Sequence, residues 1–110
     1  MIVRWKEVKN LLKTGVTDFR KQINGLSIIA KEELKQNIFS SILFMFCNKN
    51  RSRIKILYWD KNGFCLWQKR LEKEKFPWTK DKNEAVEIDF KKLKMLLSGI
   101  DFFKEKKTHL

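Results

Sequence analysis

The sequence predicts an α+β fold: a single small domain whose antiparallel sheet, with a central β-hairpin, packs against one long helix and a second, C-terminal helix. Three observations support this fold. The 110 residues fit one hydrophobic core. A hydrophobic fraction of 43% with a single proline argues against disorder. Apolar residues recur at helical spacing on either side of a β-rich centre. The domain is predicted to span residues 1–110, with 1–7 and 103–110 frayed.

The first sixteen residues are compatible with two structures. Four apolar residues lie at helical spacing: Trp5, Val8, Leu11 and Leu12. Gly15 would end such a helix. A short strand through Val8–Leu12 fits the same residues, and the pattern alone leaves both open.

A long helix is predicted from the N-cap residues Thr17 and Asp18 to about Gln36. Its apolar stripe recurs at steps of three and four residues: Phe19, Ile23, Leu26, Ile29 or Ala30, and Leu34. Gly25 within this helix costs about 1 kcal/mol relative to alanine, so we expect a closely packed neighbour there.

Three strands are predicted next. Ser41 to Cys47 is dense in large apolar residues, which indicates a strand buried on both faces or in mid-sheet. Ile54–Trp59 and Phe64–Leu71 form a hairpin, because Asn62-Gly63 between β-rich runs is a strong turn signal. A two-residue turn there would pair Trp59 with Leu66.

The last third of the chain begins with a charged, loop-like stretch, residues 72–84, that contains Trp78. Val86 and Ile88 then predict a short edge strand. Asp89 is expected to cap a second helix that runs through Leu97 and stops at Gly99.

Alternation along the hairpin separates two faces. One is a predicted core face with the helix from Asp18 as its cover: Ile54, Ile56, Tyr58, Cys65, Trp67 and Leu71, with Lys69 as its only charge. The other is predicted to face a ligand: Arg53, Lys55, Leu57, Trp59, Leu66, Gln68 and Arg70. Cations would pair with phosphates, and Trp59 would stack on a base or fill a pocket of a protein partner. Long basic side chains lying over a half-buried tryptophan would give the same pattern.

Charge favours a polyanionic partner. Lys and Arg outnumber Asp and Glu by 25 to 13, a net charge of +12. Residues 48–80 hold ten of these cations against three acids, a net +7. Such a charge concentrates polyanions, with nucleic acid first and an acidic protein or anionic membrane behind it. A merely lysine-rich soluble protein is the alternative.

No catalytic constellation is visible. The serines lack a nearby histidine, the acids are scattered, and no Gly-rich phosphate loop occurs. Cys47 and Cys65, with His109, do not make a zinc set, so no metal or cofactor is expected. The longest apolar run, residues 42–47, is too short to span a bilayer. We therefore expect a soluble, cytoplasmic protein that is not an enzyme and has no membrane partner.

Several segments resemble a known family. They are Thr17-Asp18-Phe19-Arg20-Lys21 with Ile23-Asn24-Gly25-Leu26, Phe44-Met45-Phe46-Cys47-Asn48 with Arg51 and residues 53–60, residues 62–67 and 69–72 with Phe76 and Trp78, and Leu96-Leu97-Ser98-Gly99-Ile100. Together they resemble the TnpB accessory proteins of the IS66 insertion-sequence family, which are distinct from the RNA-guided nucleases that share the name TnpB.

The resemblance implies a role in transposition beside a separate DDE-type transposase, with DNA binding as the usual proposal. It also implies a strand at Val8–Leu12. Arg20 and Lys21 belong to its first motif, where DNA contact and pairing with a carboxylate are both open; for Arg20 pairing is favoured.

The predicted sites follow from these patterns and the resemblance. The DNA is expected to be the transposon ends. The residues expected to contact it are Lys49, Arg51, Arg53, Lys55, Arg70, Trp59, Lys69, Arg20 and Lys21. The residues expected to contact the transposase, in an alternative adaptor role, are Trp59, Leu66 and Trp78. RNA binding would use the same chemistry.

Overall fold

The computed structural model describes residues 7–79 and 84–98. Its centre is one five-stranded sheet in the order β4-β3-β2-β1-β5. The strands are β1 (Lys9–Lys13), β2 (Ile42–Cys47), β3 (Arg53–Asp60), β4 (Gly63–Arg70) and β5 (Ala85–Ile88). The helices are α1 (Ile23–Ile28), which continues as a π-helical turn over Ile29–Glu33, and α2 (Phe90–Leu97). The predicted α+β fold is confirmed.

The strand β1 resolves the ambiguity near the N-terminus. It pairs in parallel with β2 and antiparallel with β5, so it lies inside the sheet. Its residues from Asn10 to Lys13 are buried, as an interior strand requires. The strand implied by the family resemblance is confirmed, and the helical alternative is wrong. The sheet is otherwise antiparallel.

Both faces of the sheet are covered. On one face, α1 packs with Leu11, Phe44 and Leu57. On the other, α2 and the segment with Phe76 and Trp78 pack with core residues of β2 and β3. The strand β2 is buried along its whole length between these layers, as predicted.

The predicted cover of the hairpin is therefore wrong. Alternation sorted the side chains correctly, but α1 lies over the face of Leu57 and Leu66. The face of Ile54, Ile56 and Tyr58 packs under α2 instead. The physical reason is that β2, apolar on both sides, needs a layer on each side of the sheet.

The first helix is shorter than predicted. Thr17 does not cap it: its backbone N–H donates to the carbonyl of Cys47 at 2.8 Å, and the helix starts only at Ile23. It ends in the π-helical turn, after which Lys35 has a φ of 56°. Close packing at Gly25 is confirmed, because a Cβ there would lie 2.9 Å from Cβ of Lys21.

The hairpin turn lies one residue earlier than predicted. Lys61 and Asn62 form the loop, Asp60 pairs with Gly63, and Trp59 pairs with Phe64 instead of Leu66. Lys61 adopts the left-handed conformation, with a φ of 55°. The observed register brings two aromatic rings side by side across the strands, a stabilising pair. The two faces are unchanged, since the pairing shifts by two residues.

The C-terminal elements follow the prediction. β5 forms the edge strand, and the Asp89 side chain accepts a hydrogen bond from the backbone N–H of Lys92 at 2.8 Å at the start of α2. Gly99, the predicted stop, lies outside the described residues, as do the predicted frayed ends apart from Glu7. None of the described helices has the length and apolar character needed to cross a membrane.

Candidate nucleic-acid interface

Six of the predicted cations gather at one end of the sheet, where β2 ends and β3 begins. Lys49, Arg51 and Arg53 come from the β2–β3 loop and the start of β3, and Arg70 lies opposite Arg53 in the β-ladder. The segment before α1 is held beside this loop by the hydrogen bond from Thr17 to Cys47. We call these cations the basic pole: Lys49, Arg51, Arg53, Arg70, Arg20 and Lys21.

The loop of the basic pole is internally fixed. The side-chain oxygen of Asn48 accepts hydrogen bonds from the backbone N–H groups of Ser52 and Arg53, at 2.9 and 3.0 Å. Arg51 has a φ of 57°, which is uncommon for a residue other than glycine. Its carbonyl accepts a 2.7 Å hydrogen bond from the backbone of Phe76. The cations thus project from an ordered loop.

The pairing of Arg53 with Arg70 places like charges directly opposite each other, which is unfavourable in a sheet. Arg70 has a partner, since Glu72 lies 3.0 Å from its guanidinium. Lys49, Arg51 and Arg53 form no ion pair with any residue in 7–79 or 84–98. A bound anion would relieve this repulsion.

Arg20 pairs with a carboxylate, the option that the sequence favoured, although the partner is Asp18 in a turn. The guanidinium donates to both carboxylate oxygens of Asp18, with the shortest distance 2.6 Å. This hydrogen bond lowers the pKa of Asp18 to about 2 and raises the pKa of Arg20. The Arg20 side chain is still 91% exposed, so it remains available to a ligand.

The predicted outward position of Lys55 is wrong. Lys55 is 4% exposed, and its ammonium donates to the carbonyls of Phe19 and Lys21 at 3.0 and 2.9 Å. Burial lowers its pKa, with a smaller effect from the charge of Arg53. Since α1 and the segment before it cover this face, the Lys55 side chain attaches that segment to the sheet. Lys55 is therefore no longer a candidate DNA contact.

Two further predicted site residues have internal partners. The Lys69 ammonium donates to the carbonyl of Leu97 at 2.7 Å. This carbonyl is at the C-terminal end of α2, where the helix dipole favours a cation. Trp78 is 6% exposed, and its indole N–H donates to the carbonyls of Lys13 and Gly15 at 3.1 and 2.9 Å. The expected partner-facing position of Trp78 is therefore wrong.

Trp59 belongs to an aromatic cluster near the tip of the hairpin, formed with Phe39 and Phe64. The ring centroid of Trp59 lies 4.9 Å from that of Phe39 and 5.0 Å from that of Phe64. Phe39 is 58% exposed and was missed from sequence, although an aromatic residue in a short polar linker was the available signal. Leu66, predicted to contact a partner, is half-buried beside α1.

The described residues show no cluster for a metal ion, and the thiol of Cys47 is buried. Within 7–79 and 84–98, no group of three His, Cys, Asp or Glu side chains is placed to hold a metal ion. Both cysteines are free thiols, and burial raises the pKa of Cys47 to about 12. The Cys47 thiol therefore stays protonated, and its side chain packs as a small apolar group.

Comparison with known proteins identifies relatives over nearly the whole chain. The family model described as IS66 Orf2 like protein matches residues 8–107. The uncharacterized protein y4hO of Sinorhizobium fredii is 34% identical over 102 residues, which cover 93% of this chain and 89% of that protein. The uncharacterized protein y4jC of the same organism is 28% identical over 107 residues, covering 97% and 92%. No solved structure matches. The chain belongs to the IS66 Orf2-like family, whose members are associated with transposition.

Proposed function

We propose that this transposition-associated protein is a non-catalytic accessory factor that binds DNA through the basic pole. The observation that carries the proposal is a set of three cations in the ordered β2–β3 loop and at the start of β3: Lys49, Arg51 and Arg53 form no ion pair within residues 7–79 and 84–98. Guanidinium and ammonium groups at such a surface pair with phosphates and release condensed counterions. The separate transposase of the same element would carry out the chemistry on the DNA strands. The transposon ends are the expected DNA.

Neutralising the loop of the basic pole should weaken DNA binding and its dependence on salt. We expect the triple variant Lys49→Gln, Arg51→Gln, Arg53→Gln to reduce the slope of log affinity against log salt by roughly 2 to 3, about 0.9 for each lost phosphate contact. Fluorescence anisotropy with a labelled terminal-repeat duplex, titrated at several salt concentrations, measures this slope.

A matched control separates a local effect from the loss of net charge. The control is a second triple variant that removes the same charge from exposed positions away from the basic pole: Lys31→Gln, Lys35→Gln, Lys91→Gln. Lys35 is included because it has a positive φ, as Arg51 does. The control should keep most of the wild-type slope. Equal slopes for the two triple variants would refute the basic pole as the DNA-binding surface.

A second candidate function is an adaptor that binds the transposase. The aromatic cluster favours it, because Phe39 is 58% exposed while its ring packs edge-on against Trp59. Partly buried aromatic residues of this kind dominate the energetics of many protein interfaces.

The adaptor function predicts that Phe39→Ser lowers transposase affinity by at least about tenfold, since a central aromatic anchor contributes on the order of 2 kcal/mol. Pull-down and titration calorimetry with the purified transposase measure it. Ile28→Ser is the control, because Ile28 is 59% exposed on α1, outside the cluster. Equal affinities for the two variants would argue against the adaptor function.

A further inference from the structure

Two open depressions lie side by side along the basic pole and share Arg20 as a common wall. The first, about 410 Å³, lies between residues 16–20 and the β2–β3 loop. The second, about 610 Å³, lies between the start of α1 and β4. Together they form a groove that follows the segment before α1.

The two depressions have the same chemical composition. Each has one ammonium group, Lys49 in the first and Lys21 in the second. Each also has an apolar wall and carboxamide side chains. The walls and carboxamides are Val16, Phe19, Asn48 and Asn50 in the first, and Ile23, Leu66, Gln22 and Asn24 in the second.

This composition repeats in the way a nucleic acid strand repeats. An ammonium suits a phosphate, an apolar wall suits the face of a base, and a carboxamide suits the hydrogen-bonding edge of a base. Asp18 also lines the first depression, but its charge is matched by Arg20, so Lys49 and Lys21 set the positive potential of the groove.

Paired DNA could not use the apolar walls of the two depressions. The bases of a duplex are stacked on one another, so their faces cannot reach an apolar wall, whereas unpaired bases can. Val16 is 51% exposed at the edge of the first depression, which leaves an apolar surface open to a base.

We propose that this groove binds unpaired DNA, one nucleotide in each depression, beside the duplex held by the basic pole. The inference rests on the proposed DNA-binding function and adds a preference for duplexes with a single-stranded tail. Such a preference would direct the protein to frayed or cleaved DNA ends.

The test compares two labelled duplexes of the same sequence, one blunt and one with a short tail of unpaired thymidines. We expect the wild-type chain to bind the tailed duplex about tenfold more tightly, the effect of one or two base contacts. Val16→Asp should bring this ratio of affinities close to one. Ile28→Asp, with the same charge change at a similarly exposed site, should keep it.

The outcomes separate this inference from the function on which it rests. Blunt-duplex affinity that does not respond to the basic-pole variant refutes the proposed function. A wild-type ratio near one, with blunt binding intact, refutes only the groove. Equal ratios in Val16→Asp and Ile28→Asp also refute the groove. A third duplex of the same sequence carries an RNA tail, and tighter binding of that duplex overturns the assignment of the groove to DNA. Because both Asp variants are at exposed positions, melting temperatures near that of the wild type should accompany these measurements.

Discussion

Replacement of Trp78 by alanine is expected to remove about 3–5 kcal/mol of the free energy of unfolding. The side chain is 6% exposed in the core beneath α2, and its N–H satisfies the carbonyls of Lys13 and Gly15. The variant loses the packing of a large ring and leaves both carbonyls without their donor. Since small domains are stable by about 5–15 kcal/mol, much of the protein would unfold at modest urea concentrations, as circular dichroism would show.

Two further substitutions make the result specific. Trp78→Phe keeps most of the ring volume but loses the N–H, so we expect a smaller loss of about 1–3 kcal/mol. Trp59→Phe, in the half-buried aromatic cluster, should cost less than about 1.5 kcal/mol. A wild-type urea midpoint for Trp78→Ala would instead favour the original prediction of a surface contact with a partner.

Replacement of Lys55 by alanine should also destabilise the fold, by about 3 kcal/mol. Hydrogen bonds from a charged donor contribute roughly 1.5–3 kcal/mol each, and Lys55 donates two, to the carbonyls of Phe19 and Lys21. Without the ammonium, these carbonyls lose their partner and the segment before α1 loses its attachment to the sheet. Urea unfolding measures the loss.

Lys49→Ala is the matched comparison, because it removes the same charge from an exposed residue. Its stability should stay within about 0.5 kcal/mol of the wild type. In DNA binding the two variants should behave in the opposite way: Lys49→Ala lowers the salt slope, and folded Lys55→Ala does not. Unchanged stability together with a lowered slope in Lys55→Ala would show that its ammonium contacts phosphate after all.

Elements specified by neighbouring residues were predicted well. The strands of the hairpin, the buried strand β2 and the capped helix α2 each depend on short patterns: alternation, an apolar run, and Asp89 before an amphipathic segment. The turn register was not predicted, because it depends on the pairing of Trp59 with Phe64 across the strands as well as on the preference of Asn-Gly for a turn.

The layer structure could not be read from alternation. Alternation reports which side chains share a face of a strand, but it does not report what covers that face. A signal was present, since Leu57 and Leu66 share a face with Lys55, and two leucines are unusual on a fully exposed face. The buried ammonium depends on carbonyls 34 and 36 residues away in the chain, which no local pattern reveals.

The candidate site was predicted in part. The concentration of cations in residues 48–53 and at Arg70 indicated a basic surface, and the structure brings these residues to one end of the sheet. That they bind DNA stays a prediction. Trp78 was misplaced because its partners, Lys13 and Gly15, lie more than sixty residues earlier in the chain.

The interior position of β1 determines when the sheet can be completed during synthesis. Residues 9–13 are synthesised before residues 85–88, yet these later residues form β5, one of the two neighbours of β1 in the sheet. Pairings across such separations are slow to form, and this one demands that the chain be present as far as residue 88. A nascent polypeptide, or one that ends before residue 85, therefore leaves this interior strand with one side unpaired, and the sheet is completed only once β5 has been synthesised.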